Sequence, residues 1–317
     1  MFQIFRLIRL RTLLFVVFTM YAMRYFVIRP ILDVNGFTLQ MSDWGFSLLV
    51  VCVCCLVAGA YVINDYFDTK TDRISGVKDV VVGRIISRRS AITLHTILNI
   101  AAVLIAFYLS FAVGIWKIGI LFLLVSGVLW FYSSWYKKYF VTANLIVGFL
   151  FALVPVSVIV FEIPLLNMAY ASILLETETN FLYMFNWILG FSFFTFFNTV
   201  MYEINKDIYT IEGDRENEIN TIPVKYGVRT AKNMIAILAG ICMLTIAVLY
   251  FTVFSASLSI LVYFIIALLF PYAFYLVSVL SKNSRRVFQL RLIRMIMFLC
   301  ILFSILLNHF FQLIFAE

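Results

Sequence analysis

The sequence predicts an all-α membrane protein with nine transmembrane helices, and three observations carry that expectation. Its 317 residues are 64% hydrophobic and 13% charged, with a mean hydropathy of +1.04. A soluble domain is about 45–50% apolar and about 25% charged. Nine apolar runs are long enough, or nearly so, to cross a hydrocarbon core of about 30 Å as helices. The Lys and Arg residues fall on alternate sides of those runs.

The runs lie near residues 13–29, 46–63, 92–113, 118–133, 143–163, 182–202, 234–254, 258–279 and 293–315. The first follows Arg6, Arg9 and Arg11, with no small-residue cleavage site behind it, so no cleaved signal peptide is expected. The whole chain, 1–317, reads as one integral membrane domain.

With the N-terminus inside, the inside segments hold 21 of the 24 Lys and Arg. Arg24, Arg29 and Lys117 remain outside. Such a bias fixes orientation. It also accounts for the net charge of +8 without a polyanionic partner, and no nucleic-acid binding is expected. The expected location is the cell inner (plasma) membrane, with the active site facing the cytoplasm. The five cysteines (Cys52, Cys54, Cys55, Cys242 and Cys300) all sit in apolar runs without zinc or haem spacing, and read as buried thiols.

The acidic residues follow a different rule. Ten of the 16 Asp and Glu fall in two inside loops, after the second and sixth runs. The first group reads Asn64-Asp65-Tyr66-Phe67-Asp68-Thr69-Lys70-Thr71-Asp72, so a continued helix places Asn64, Asp68 and Asp72 on one face. The second runs from Glu203 to Glu218, with Asp207 and Asp214 seven residues apart on one face. Carboxylates at a helix C-terminus oppose the macrodipole and call for cations. An amide oxygen with several carboxylates makes a hard-oxygen site suited to Mg²⁺, which commonly shares its shell with phosphate oxygens. The inside basic residues Arg73, Lys78, Arg84, Lys137 and Lys206 could take the remaining oxygens of a diphosphate. The two groups stand about 140 residues apart, the spacing of an internal repeat in which each half gives one loop.

At these residues the sequence resembles the UbiA prenyltransferase superfamily. NDxxDxxxD is matched by Asn64, Asp65, Asp68 and Asp72. The stretch from Lys206 to Gly227, KDIYTIEGDRENEINTIPVKYG, is similar to the second signature and its tail. Its wording is nearest the branch that contains digeranylgeranylglyceryl phosphate synthase and the homogentisate and chlorophyll enzymes. Tyr132-Ser133 with Lys137, and then Asn144, resemble the YSxxLK and GN elements. Two departures stand out. Thr210 occupies the first Asp of the family's DxxxD, and the proline-rich stretch after the first signature is replaced by Ser75 to Arg84.

The resemblance implies Mg²⁺-dependent transfer of a prenyl group from a polyprenyl diphosphate to a membrane-associated acceptor, best taken as geranylgeranylglyceryl phosphate. An aromatic acceptor of quinone biosynthesis is the alternative within the family. It implies catalytic roles for Asp65, Asp68, Asp207 and Asp214, and metal ligation by Asn64, Asp68, Asp72, Asp207 and Asp214. Tyr132, Asn144 and Asn198 are expected against substrate. The Phe residues at 191, 193, 194, 196 and 197 offer an apolar wall for the prenyl tail, although most must face lipid or neighbouring helices. His95 is expected to be satisfied locally near the interface, and His309 to be structural. A cation-coupled transporter is the rival of another class. It would place charges near the midplane of several helices, whereas these acidic groups follow the ends of theirs.

Overall fold

A computed structural model describes residues 2–69, 81–135, 142–255, 257–281 and 285–314. A short helix, α1 (Phe2–Leu7), precedes α2 (Leu10–Val34), α3 (Asp43–Phe67), α4 (Arg88–Ala112), α5 (Lys117–Ser134) and α6 (Thr142–Ala169). Then come the short α7 (Ala171–Thr177), α8 (Tyr183–Glu216), α9 (Ile222–Phe254), α10 (Leu258–Leu280) and α11 (Arg286–Ile314). Among the described residues, nine helices are long and apolar enough to cross a membrane, one for each predicted run. The reason is physical: in hydrocarbon every backbone N–H and C=O must be paired within its own segment.

Local chemistry sets several of the ends. Ser42 and Ser87 accept hydrogen bonds from Gly45 N (3.1 Å) and Ser90 N (3.0 Å), capping α3 and α4. Ser257 caps α10 through Ile260 N at 3.4 Å. Pro223 sits in the first turn of α9, where its missing N–H costs nothing, and Gly227 (φ 86°) then breaks the winding. Pro155 and Pro164 lie inside α6. Residues Met23–Ile28 of α2 take the wider π-helical winding.

Two features of the spans matter for function. The apolar part of the sixth run ends at 202, and the helix continues through the acidic group to Glu216, as the one-face placement of Asp207 and Asp214 requires. A 34-residue helix spans about 50 Å, well beyond a hydrocarbon core of about 30 Å. Its acidic third is therefore helix standing in the interface, where charge ends the apolar run without ending the winding. Arg24 was assigned to an outside segment, yet it lies within α2 and is 2% exposed. Its guanidinium pairs with Glu162 of α6 at 3.3 Å and with Asp43 at 3.2 Å, and donates to Met41 O.

The chain packs as two compact units, with boundaries after Lys137, within α6 and within α8. The first, Met1–Lys137 with Val154–Leu189, is built on Phe46, Leu49, Val62, Ile63, Ala102 and Ala106. Here α3 and α4 meet at Gly59, where a Cβ would come within 2.6 Å of the Asn99 amide. The second, Lys138–Leu153 with Gly190–Glu317, buries Ile235, Ala239, Cys242, Tyr272, Tyr275 and Ile293. Leu104, Phe111, Leu124, Phe251, Ile266 and Val277 are exposed on the helix surfaces, as side chains facing lipid are.

Candidate active site

The first acidic group closes α3. Asp68 caps the helix, with its N–H donating to Asn64 O at 2.9 Å, and Asn64 Nδ2 donates to Asp68 Oδ2 at 2.9 Å. The amide and carboxylate predicted to share a face do so. Buried Thr69 donates to the carbonyls of Asp65 (3.2 Å) and Tyr66 (2.9 Å), so the end of the helix is sealed by its own hydroxyl. Asp65 points a different way: its Oδ1 accepts from Arg9 Nη2 at 3.4 Å. The Arg88 guanidinium lies over the Tyr66 ring at 4.5 Å.

Asp72, Arg73, Lys78 and Lys137 lie outside the described residues. Arg84 is exposed on the turn between the bridged residues Val82 and Ile86. Tyr132 is half-buried in the last turn of α5. His95 is buried, with Nδ1 at 2.9 Å from Gly59 O and the Asn99 amide beside it, and Ser126 Oγ donates to Asn99 Oδ1 at 2.6 Å. Its partners are all local. His309 is exposed on α11.

The second acidic group rides on the last turns of α8. Asp207 Oδ2 accepts from Asn144 Nδ2 at 3.0 Å, which joins two residues selected separately from the sequence. The close approach of their helices explains how Asn144, on α6, reaches it. One turn further on, Gly148 presses against α8, where a Cβ would stand 2.6 Å from Val200 Cγ2 and 3.2 Å from Phe196 O. Lys206 Nζ pairs with Glu203 at 2.8 Å. Thr210, at the position of a family aspartate, donates to Asp214 Oδ2 at 3.0 Å, and Thr221 reaches the same oxygen at 3.5 Å. Asp214 is 8% exposed, whereas Glu212, Glu216 and Glu218 are exposed.

The helix then stops by a left-handed residue, Glu218 (φ 55°), with Ile219 N donating to Asp214 O at 2.9 Å. Asn198, selected as a substrate contact, is fully buried in the middle of α8. Its Oδ1 accepts from Tyr272 OH at 2.7 Å and its Nδ2 donates to Cys300 Sγ at 3.7 Å.

Each described carboxylate of the signatures thus has a donor against it, as a negative group at a negative helix end requires. Asn64 and Asp68 in the first unit, and Asp207 and Asp214 in the second, each offer hard oxygen donors, the chemistry of Mg²⁺. Among the described residues no three His, Cys, Asp or Glu converge to hold a metal by themselves.

Sequence reading missed two contributions. Arg9 was counted only as a topology charge, although it reaches Asp65. Arg24 in an apolar span signals an acidic partner, and Glu162 in the fifth run could have been paired with it.

The model of the UbiA prenyltransferase family matches residues 31–311. A digeranylgeranylglyceryl phosphate synthase from Methanosphaera stadtmanae is 27% identical over 246 residues, covering 76% of this chain and 80% of the relative. One from Methanothermobacter thermautotrophicus is 30% identical over 233 residues, covering 72% and 74%. Among solved structures, a UbiA homolog from Archaeoglobus fulgidus bound to GPP and Mg²⁺ superposes with a TM-score of 0.58 at 16% identity, covering 97% of this chain and 99% of that one. The apo UbiA homolog from Aeropyrum pernix K1 gives 0.61 at 13% identity, covering 92% and 98%. These structures share the fold.

Proposed function

The chain belongs to the UbiA prenyltransferase family, and from that premise we propose that it transfers a prenyl group from a prenyl diphosphate to geranylgeranylglyceryl phosphate, forming an ether-lipid precursor. The observation that carries the choice of acceptor is the naming of its relatives: the two described above are synthases of that product, at 27% and 30% identity. We treat residues 1–317 as one catalytic domain in the inner (plasma) membrane, with its N-terminus and active site on the cytoplasmic side. The acidic groups end spans two and six, so four crossings return the chain to the same side.

In the proposed reaction the acceptor hydroxyl attacks C1 of the allylic diphosphate. A new C–O ether bond forms, the bond to diphosphate breaks with its electron pair leaving on oxygen, and the hydroxyl proton is released. Asn64, Asp68, Asp72, Asp207 and Asp214 would hold Mg²⁺, which when bound neutralises the charge that develops on the leaving diphosphate. Arg73, Lys78, Arg84, Lys137 and Lys206 supply donors to the remaining oxygens. Lys206 must exchange its bond to Glu203 for the substrate. Asn144 holds Asp207 in place. Tyr132 faces substrate near the end of α5, while Asn198 serves the helix core through Tyr272 and Cys300. The partly buried rings of Phe193, Phe196 and Phe197 on α8 lie 4.5–5.2 Å apart centroid to centroid. They give a dry aromatic surface for the prenyl tail that keeps water from the allylic cation.

The test supplies purified protein in lipid with Mg²⁺, labelled prenyl diphosphates of several lengths, and either geranylgeranylglyceryl phosphate or an aromatic acid. The expected product is the ether, identified by mass. Prenylation of the aromatic acid alone overturns the choice of acceptor and leaves the family chemistry intact.

A further inference from the structure

We infer that Arg9 is a positioning residue of the active site, acting through Asp65 and making the N-terminal segment part of the first acidic signature. The inference rests on the reading of the α3 terminus as the prenyl diphosphate site. Four observations converge on it. Arg9 Nη2 lies 3.4 Å from Asp65 Oδ1, and its guanidinium stacks over the ring of Tyr61, one turn earlier on α3, at 4.3 Å. The backbone of Arg9 is left-handed (φ 52°, ψ 59°), a conformation that an arginine adopts at a cost. That residue lies between α1 and α2 and turns the chain from one to the other. Leu7, two residues earlier, is fully buried in a cluster with Val62 of α3, Val81, Val82 and Ala91, against which Tyr66 packs.

Stability does not explain this arrangement. The side chains of Arg9 and Asp65 are 40% and 22% exposed, and ion pairs so wet contribute little to folding. A strained backbone that holds a weak ion pair is the pattern of a residue kept for function. The chemistry supplies that function. Asp65 stands beside Asp68 at a helix terminus that already repels negative charge. The guanidinium balances the charge of Asp65, which stands about 100° round the helix from the face on which Asn64 meets Asp68. Without it, a further carboxylate competes for the same cations. Arg9 therefore governs how the signature binds Mg²⁺ together with the diphosphate.

Glycine accepts the left-handed backbone freely, so Arg9→Gly removes the charge and relieves the strain at once. Turnover of Arg9→Gly is expected to fall by at least about tenfold, as misplacement of a catalytic group does. The Mg²⁺ concentration for half-maximal rate should shift severalfold, while the melting temperature holds or rises. Arg9→Asn, which also tolerates this backbone, serves as the second variant. In a cycle with Asp65→Asn, the double variant should lose no more than the worse single one.

Parent-like turnover and Mg²⁺ dependence in Arg9→Gly overturn the inference. So do additive losses in the cycle, or a fall in melting temperature that matches the loss of activity in both variants. Asp68→Asn is assayed alongside. If it is inactive while Arg9→Gly is parent-like, only the role of Arg9 fails. If Asp68→Asn is fully active, the site reading fails and takes this inference with it.

Discussion

Thr210 shows how one side chain can alter a site that its neighbours define. Its hydroxyl donates to Asp214 Oδ2 at 3.0 Å, and the helix places the pair one turn apart. A family aspartate at this position would instead set two carboxylates against each other, tolerable only with a cation between them. Thr210→Asp is therefore expected to lower the Mg²⁺ concentration needed for half-maximal turnover. Without metal it should depress the melting temperature, because like charges one turn apart repel. Glu216→Gln is the control: exposed in the last turn and outside the Asp207–Asp214 face, it should change neither quantity. Mg²⁺-titrated turnover and metal-free melting of both variants check this. If Glu216→Gln and Thr210→Asp behave alike, the acidic turns of α8 are ordinary interfacial surface.

Helices carry the next layer of control, because the signature side chains meet only where backbones approach closely. Gly148 lets α6 lie against Val200 and the Phe196 carbonyl of α8, one turn from the Asn144–Asp207 bond. A methyl group there would overlap fixed atoms, and overpacking of this kind costs about 1–3 kcal/mol. Gly148→Ala should lower the melting temperature and also reduce turnover, by shifting Asn144 off Asp207. Asn144→Ala should reduce turnover with less thermal loss.

The loop before α3 is held in a comparable way. Glu162 accepts from Gln40 N and Met41 N (3.2 Å) while pairing with Arg24. Glu162→Ala leaves the buried guanidinium only Asp43 and the Met41 carbonyl, and the expected result is a fall in melting temperature. Replacing both ends with apolar residues should recover only part of it, since the bonds to the loop backbone are also lost.

What the sequence could and could not reveal follows from these same residues. The spans were legible because the bilayer demands long apolar runs. The pairing of Asn64 with Asp68 was legible because helix geometry fixes residues four apart. The continuation of α8 through Asp207 and Asp214 was legible for the same reason, although charges end its apolar run at 202. Gly148 and Arg9 were not, because what each meets lies on a helix distant in sequence.

At the scale of the whole chain, the nine spans and the positive charges make one joint statement about orientation. If the nine candidate spans among the described residues all cross, the first and last segments lie on opposite sides, and 21 of 24 Lys and Arg gather on the side of the first. Burial of Arg24 strengthens the bias, since a basic residue paired with Glu162 inside the protein no longer counts as a loop charge. On the proposed orientation the acidic signatures and the basic segments share one side of the membrane. Two exposed positions test the arrangement. Ile85 lies between the second and third spans and Glu178 between the fifth and sixth, three crossings apart. Ile85→Cys should react with a membrane-impermeant thiol reagent only from the cytoplasmic side, and Glu178→Cys only from the opposite side. The native thiols give a low background, because Cys52, Cys242 and Cys300 are buried and Cys54 and Cys55 lie within α3. Labelling of both introduced cysteines from one side would remove a crossing between them and overturn the proposed orientation.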